Sequence, residues 1–444
     1  MTGISRYFDL YNNGTDIRTE VLAGLTSFLA TMYIIVVNPA IVQASGMPFN
    51  AVLTATVIVS AFASIAMGLY AKNPIIMAPG MSLNHLFAYS IVKMGGVPWE
   101  MALGCVFWAG VIFLIIACFD RQKWFVKSIP RELRFGIAGG IGLFIALIGF
   151  ENAGLFSGGG GGFHFSAINL IFLAGMVITG ILMARHVPGS FIIGIIATTI
   201  MALTVGRWWG DASAITGGTK TLVNWKGCWS PPDFSLLMRV DFIGSLKFSY
   251  IPVILIFLFS CIFDGLGTCV GVCEAGNLID EEGEPRHIGK SLRANAFGMV
   301  LSSLFGTSPA TAYIESATGI KEGGRTGLTA VVAGIFFLPF LFLSPLLSIV
   351  PGIATAPVLV LVGVFMLKPL IYLRWDHFDE SIPFFLSMII MPLTHSISLG
   401  IVWGLLSWTA IKIGCNRWRQ VPLFLWVMDA AIILVLITSG NVFH

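Results

Sequence analysis

The sequence is short of charge. Lys, Arg, Asp and Glu together make up 11% of the 444 residues, whereas 56% of the residues are hydrophobic. A soluble domain of this length could not bury so many apolar side chains, so the composition predicts an integral membrane protein with several spans. The formal net charge of +3 is uninformative here, because orientation depends on where Lys and Arg fall. Nucleic acid is not expected among its partners.

Cysteine is scarce, and signatures of catalysis or cofactor binding are missing. The seven cysteines are odd in number, and most lie in apolar runs, as Cys105 and Cys261 do, so we expect neither a disulfide framework nor a metal site. The glycine run 158–162 lacks the Lys-Ser/Thr that follows in a phosphate-binding loop. No nucleophile–base pair is apparent at one membrane depth, so an enzyme is not expected. The polar amino terminus predicts no cleavable signal peptide.

Long apolar runs dominate what is present. Windows of about 20 residues can cross roughly 30 Å of hydrocarbon. We place them at 20–44, 50–71, 98–119, 133–151, 166–184, 188–206, 245–273, 288–306, 325–347, 354–373, 380–394 and 396–413. Half-length pieces at 80–93 and 313–321 bring the prediction to fourteen spans, and the run 421–438 is left open. Basic residues concentrate in alternate connections, as between 121 and 134, which predicts a cytoplasmic amino terminus.

Two stretches break the pattern of membrane helices. Residues 307–327 read TSPATAYIESATGIKEGGRTG, and residues 73–88 read NPIIMAPGMSLNHLFA. In an otherwise all-α fold, each is predicted to contain a short extended β-segment followed by a half-helix. Within a bilayer an irregular backbone persists only where protein buries it or where it lines a watery cavity. Interrupted segments at corresponding places in two halves of a chain point to the binding site of a secondary transporter. Seven spans per half would make the halves inverted repeats, and WAGVIFL at 108–114 resembles VAGIFFL at 332–338.

Two acids lie inside these apolar regions. Asp264 is predicted at mid-membrane, just before Gly265 and Gly267, where an unpaired carboxylate costs several kcal/mol. Desolvation favours its protonated form, so it could bind a proton or accept hydrogen bonds from ligand N–H groups. Glu315 begins the second half-helix, where free backbone N–H groups stabilise a carboxylate. Structural alternatives are an aspartate tied to backbone groups for packing and a glutamate that caps its helix.

Further residues are predicted to line a small polar chamber with these acids. Backbone groups, hydroxyls and amides that could contact a ligand belong to Gly80, Met81, Asn84, Tyr313, Ile314, Ser316, Thr268 and Asn38. Asn38-Pro39 either unwinds the first span or ends its helix, and His85 is expected to pack against a neighbour because it lies about 100° round the helix from Asn84. A planar heterocycle with both donors and acceptors would suit this chamber better than a bare ion.

Several of these motifs resemble one known family. VNPAI, APGMSLNHLFAY, FDGLGT and above all TAYIESATGIKEGGRTGLTAV are similar to the AzgA-like purine permeases, a branch of the nucleobase:cation symporter-2 (nucleobase-ascorbate transporter) family. The resemblance implies proton-coupled purine uptake with Asp264 and Glu315 as substrate-binding and proton-coupling acids, next to Ile314 and Met81. It also implies an elevator-like movement of a core against a gate domain, often in a homodimer, with no cofactor. We expect a location in the bacterial plasma membrane.

The same resemblance implies a division of the chain. The core domain would comprise 20–119 and 245–347, and the gate domain 120–206 and 348–413; the other parts are a cytoplasmic terminus 1–19, an extracytoplasmic loop 207–244 and a hydrophobic segment 414–444. The chain departs from the family pattern at Gly265, where Thr is usual, at 308–310, which has few hydroxyls, and at Glu151, where a basic residue is common. These departures leave the preferred purine open, with guanine or hypoxanthine placed before adenine.

Other transport functions fit the same architecture less well. An anion carrier of the sulfate-permease type shares the half-helix chamber, but an acid pair would repel its substrate. A uracil or xanthine permease is a nearer alternative. A channel would require a continuous pore, whereas glycine-flanked acids and broken helices favour a closed, alternately exposed site.

Overall fold

The computed structural model describes residues 3–118, 131–155, 168–185, 187, 189–205, 229–275, 278, 286–343, 350–367, 370–371, 374–394, 397–422, 425–426 and 429–430. This part of the chain is mostly helical. Its first-half elements are α1 (Gly3–Tyr7), α2 (Ile17–Thr31), α3 (Ile34–Val42), α4 (Phe49–Ala66), β1 (Met77–Pro79), α5 (Met81–His85), α6 (Trp99–Cys118), α7 (Arg131–Asn152), α8 (Asn169–Ala184) and α9 (Ser190–Ala202). The second half contains α10 (Ile251–Ala275), α11 (Ile288–Phe305), β2 (Ala310–Ala312), α12 (Ser316–Lys321), α13 (Gly327–Phe337), α14 (Gly352–Met366), α15 (Phe378–Thr394) and α16 (Ile397–Gly414).

Helices occupy the predicted apolar windows. Among the described residues, five helical segments are long and apolar enough to cross a membrane: Ile17–Ser45, Phe49–Ala71, Trp99–Cys118, Phe135–Asn152 and Phe248–Cys269. Several others are apolar but shorter, including α8, α9 and α16. Most of the run 421–438, the glycine run 158–162 and much of the loop 207–244 lie outside the described residues.

The two broken segments pair with each other. Strands β1 and β2 run antiparallel, with Met77 opposite Ala312, Ala78 opposite Thr311 and Pro79 opposite Ala310. The pairing continues at both ends, because the Gly80 N–H donates to the Pro309 carbonyl and the Tyr313 N–H donates to the Ile76 carbonyl, each at 3.0 Å. The expected extended segments are thus real, although β2 ends before Tyr313.

Serine hydroxyls bond to the outer edges of this two-stranded sheet. Ser64 Oγ accepts from the Met77 N–H and donates to the Met77 carbonyl, both at 2.9 Å. Ser302 Oγ accepts from the Ala310 N–H at 3.0 Å, and Ser316 Oγ accepts from the Ile76 N–H at 2.9 Å. A backbone group left without a partner in a bilayer costs several kcal/mol. These bonds therefore make the irregular backbone compatible with its apolar surroundings.

The helices pack in two sets. The first set places α4 against α3, α11 and α13, and places α6 against α10 and α11. Glycines permit the closest crossings: a Cβ on Gly327 would lie 1.9 Å from the Gly68 carbonyl oxygen. The second set places α7 against α14 and α15, and α9 against α8 and α14. The proposed core and gate boundaries remain predictions.

Candidate functional site

Asp264 lies on α10 and faces both broken segments. Its half-buried carboxylate has the hydroxyls of Ser82, on α5, and Thr311, on β2, as neighbours. A Cβ built on Gly80 would lie 3.4 Å from Asp264 Oδ2, so the glycine lets α5 begin directly beside the acid. The buried Thr311 hydroxyl makes no well-formed hydrogen bond to a described residue. The nearest polar group to which Thr311 can turn its hydroxyl is thus the Asp264 carboxylate beside it.

Glu315 occupies the N-cap position of α12 but its carboxylate turns elsewhere. Within the described part of the chain it makes no capping hydrogen bond to the helix. Instead, Glu315 Oε1 accepts a hydrogen bond from the Tyr33 hydroxyl at 2.8 Å. Glu315 is half-buried and close enough to Asp264 for the two acids to interact electrostatically. The acids predicted from the sequence thus lie in one site.

An apolar side chain accompanies the acids. Ile314 precedes Glu315 and is 59% exposed, although it lies between buried Tyr313 and the half-buried acid. The Tyr313 hydroxyl donates to the Pro79 carbonyl and so ties the end of β2 to the end of β1. An exposed aliphatic side chain thus lies next to two acids that can accept hydrogen bonds.

Asn38 and Asn84 are brought together by a third residue. The Ser308 hydroxyl lies 2.9 Å from Asn38 Oδ1 and 2.6 Å from Asn84 Oδ1. Asn38 Nδ2 also donates to the hydroxyls of Thr56, at 2.6 Å, and Thr307, at 2.8 Å. Both asparagines are fully buried, so in this conformation their side chains hold Thr307 and Ser308 of the second broken segment in place.

Asn38-Pro39 does not end its helix. Pro39 lies inside α3, which continues to Val42 and then as a 3₁₀ turn to Ser45. The helix break falls earlier, at Met32 and Tyr33 between α2 and α3. Proline lacks one backbone donor, and the structure accommodates it within the helix, where Asn38 is held by side chains from other segments.

The remaining candidates differ in exposure. Ser316 is buried and supports β1 through Ile76, whereas Thr268 is half-buried one turn beyond Asp264. Met81 is buried at the start of α5, and its sulfur lies 4.0 Å from Asn84 Nδ2.

His85 packs against neighbours, as the sequence predicts. Its ring stacks on Tyr89 with centroids 5.8 Å apart and meets the edge of Phe144, on α7, at 6.2 Å. His85 Nδ1 lies 2.9 Å from the Met81 carbonyl oxygen. Because a carbonyl oxygen only accepts, the proton belongs on Nδ1.

Two residues escaped the sequence analysis. Tyr33 bonds to Glu315 across 282 positions of the chain, and Glu20 bonds to the loop that precedes α13. No local pattern marks either residue, since a tyrosine and a glutamate near the start of an apolar run are unremarkable in composition. Their partners become apparent only in the folded chain.

Comparison with known proteins assigns the family. The family model Xan_ur_permease, which is described as "Permease family", matches residues 18–402. The chain belongs to the nucleobase:cation symporter-2 permeases. The resemblance seen in the motifs is therefore confirmed, and this permease is a multi-pass membrane protein whose relatives are transporters rather than enzymes.

Curated relatives cover nearly the whole permease. The adenine permease AdeQ of Escherichia coli is 38% identical over 98% of this chain and 96% of its own length. The guanine/hypoxanthine permease PbuO of Bacillus subtilis is 37% identical over 93% of this chain and 96% of its own length. The relatives thus include proteins named for different purines.

Solved structures show the same transporter fold. The transmembrane domain of a cyanobacterium bicarbonate transporter, BicA, matches with a TM-score of 0.64 at 17% identity, covering 86% of this chain and 97% of that domain. The inward-facing murine Solute Carrier 26 family member A9 anion transporter matches with a TM-score of 0.64 at 12% identity, covering 91% of this chain and 69% of that chain. At such identities the likeness concerns the fold alone.

Proposed function

We propose that this permease is a secondary transporter that takes up purine nucleobases together with protons. We expect guanine or hypoxanthine as the preferred substrate, in line with the name of PbuO. Adenine is the alternative, in line with the name of AdeQ. The observation that carries the proposal is the convergence of Asp264, Glu315 and exposed Ile314 beside the paired broken segments.

The site offers a purine complementary chemistry. A carboxylate oxygen accepts hydrogen bonds from ring or exocyclic N–H groups, and such charge-assisted bonds are stronger than neutral ones. Glu315 Oε1 accepts from Tyr33, and its carboxylate has further acceptor positions for a base, while Asp264 lies beside Ser82 and Thr311. The side chain of Ile314 would cover one face of the ring.

The transport cycle in this proposal follows the family's expected architecture. Fourteen spans would form two inverted repeats, and the core would move as an elevator against the gate, often within a homodimer in the bacterial inner membrane. Asp264 or Glu315 would carry the coupled proton, because a neutral acid is less costly than a charged one while the site is closed from water. Purine and proton would then leave on the cytoplasmic side.

Transport of an anion is a second function that this fold could perform. BicA and the Solute Carrier 26 protein are anion transporters by name, yet their likeness to this chain is limited to fold. Two carboxylates about 4 Å from an anion would each repel it by about 1–4 kcal/mol, depending on the local dielectric constant. The acid pair therefore favours a neutral heterocycle. A uracil or xanthine permease remains the nearer alternative within the family.

Uptake of radiolabelled bases into proteoliposomes tests the proposal. Adenine, guanine, hypoxanthine, xanthine and uracil should be compared with and without an imposed inward proton gradient. We expect purine uptake that the gradient accelerates, and loss of that uptake in Asp264→Ala and Glu315→Ala. Glu315→Gln should retain some binding if hydrogen bonding outweighs charge. Glu322→Gln is the control, since Glu322 is exposed.

Three outcomes would count against the proposal. Uptake of bicarbonate or sulfate without purine uptake would favour the anion carrier. Purine uptake unaffected by substituting Asp264 or Glu315 would discard the site. Uptake insensitive to the gradient would remove the proton from the mechanism while leaving the substrate class intact.

A further inference from the structure

Tyr33 joins the acid of the site to a helix of the second packing set. It stands in the break between α2 and α3 and is only 1% exposed. Its hydroxyl donates to Glu315 Oε1 at 2.8 Å. Its ring meets Phe191, on α9, with centroids 5.1 Å apart and an interplanar angle of 62°. Tyr33 thus links the break between α2 and α3 to two other parts of the chain, Glu315 and α9.

The bond restricts a carboxylate that otherwise has several rotamers. A glutamate has three side-chain torsions, and fixing a long side chain costs up to about 2 kcal/mol of conformational entropy. A phenol that donates to an ionised carboxylate makes a charge-assisted bond, which offsets this cost before any ligand arrives. Because an ionised carboxylate has about four acceptor positions, the bond from Tyr33 to Oε1 still leaves positions that can accept from a ligand.

The position of the phenol is itself fixed. Tyr33 lies in the turn between α2 and α3. The edge-to-face contact with Phe191 restrains its ring. A buried tyrosine needs a partner for its hydroxyl, and Glu315 supplies one. The same contact brings α9 to within one side chain of the substrate-binding acid.

We infer that Tyr33 is a positioning residue for substrate binding. It holds Glu315 so that Oε2 is presented to an N–H group of the base. This inference rests on the proposed function, since it assumes that Glu315 binds the base. It assigns specificity for N–H donors to an arrangement of two residues rather than to the acid alone.

Tyr33→Phe isolates the hydroxyl, because the ring and its contact with Phe191 remain. Loss of one hydrogen bond to a charged group should raise KM for purine uptake about 10- to 100-fold. The maximal rate should change less than about threefold, and the thermal midpoint should move by no more than about 2 °C. Tyr70→Phe is the matched control: Tyr70 is exposed, and its hydroxyl accepts from Arg293 Nη1 at 3.3 Å, away from the acids.

A double-mutant cycle separates positioning from a purely structural role. Equilibrium binding of radiolabelled base should be measured for the parent, Tyr33→Phe, Glu315→Gln and the double variant. If Tyr33 acts through Glu315, adding Tyr33→Phe to Glu315→Gln should weaken binding less than about threefold, well below its effect in the parent. An equally large effect in both backgrounds would overturn the inference.

Two further outcomes are decisive. A Tyr33→Phe variant whose KM and maximal rate both match Tyr70→Phe would show that the hydroxyl does not position the acid. If the parent takes up no purine, the proposed function fails first. Purine uptake by the parent with no Tyr33→Phe effect rejects this inference alone.

Discussion

Glu20 is a fully buried acid that anchors α2 to the loop before α13. Its Oε1 accepts from the backbone N–H groups of Arg325, at 2.9 Å, and Thr326, at 3.1 Å. Its Oε2 accepts from the N–H group of Thr329, at 3.1 Å, and from the Thr329 hydroxyl, at 2.6 Å. The loop before α13 and the first turn of that helix thus place three N–H donors and a hydroxyl around one carboxylate.

Glu20→Gln preserves the size of this side chain and removes part of its bonding. One amide oxygen can still accept two hydrogen bonds, but the amide NH₂ must face the donors on the other side. Each hydrogen bond to a charged group contributes about 1.5–3 kcal/mol, and a buried donor left without an acceptor costs a further 1–3 kcal/mol. Allowing for relaxation, we expect a loss of about 2–4 kcal/mol, which in a chain of this length lowers the thermal midpoint by about 2–4 °C.

The assay is thermal unfolding of the purified permease in detergent, followed by intrinsic fluorescence. Glu322→Gln is the control, because it removes the same charge from an exposed position just before the GGRTG turn. We expect the control to melt within about 1 °C of the parent. Equal midpoints for Glu20→Gln and Glu322→Gln would refute the reasoning, since they would show that the buried bonds contribute no more than a solvated acid.

A Cβ on Gly319 would lie 2.1 Å from Ser27 Oγ, whereas a Cβ on Gly180 would meet nothing within 4 Å. Gly319→Ala should therefore cost about 1–3 kcal/mol and lower purine uptake, while Gly180→Ala should not; equal thermal midpoints would contradict this packing. The hydrogen bond from Lys412, at 2.7 Å, lowers the pKa of Asp379, which just precedes the predicted span 380–394. Because the folded pKa is the lower one, the pair stabilises the protein above the unfolded value of about 3.9, and that contribution is lost as pH falls further. Thermal midpoints measured from pH 6 to pH 3 should fall more steeply in the parent than in Asp379→Asn, and parallel curves would contradict the assignment.

The main helices could be predicted because a bilayer leaves few alternatives. About 20 consecutive apolar residues in a chain of this composition have to form a helix, since every backbone group needs a partner within the segment. The same argument identified 73–88 and 307–327 as exceptions, and these are the segments that contain β1 and β2. Asp264 and Glu315 were identified because ionisable residues are rare in such surroundings.

Polarity alone did not distinguish a ligand contact from an internal one. Asn38 and Asn84 are polar residues in apolar runs, which made them candidates for substrate binding. In the folded chain the Ser308 hydroxyl lies within hydrogen-bonding distance of both amide oxygens. The polar group of each asparagine therefore has a buried protein partner rather than a ligand. Which polar groups meet is a long-range property: Ser308 is 224 positions from Asn84 and 270 from Asn38.

The site depends on both halves of the chain because each broken segment satisfies the other. Without β2, the inner edge of β1 would present unpaired N–H and carbonyl groups inside an apolar environment, and the converse holds for β2. Ser64 and Ser302, on helices from opposite halves, complete the outer edges. The same register places Thr311 opposite Ala78, and this strand pairing leads on one side to Gly80 beside Asp264 and on the other to Glu315. The requirement to pair every backbone group therefore fixes where the two acids stand, and a substitution that weakens the strand pairing should disturb the site before it disturbs the surrounding helices.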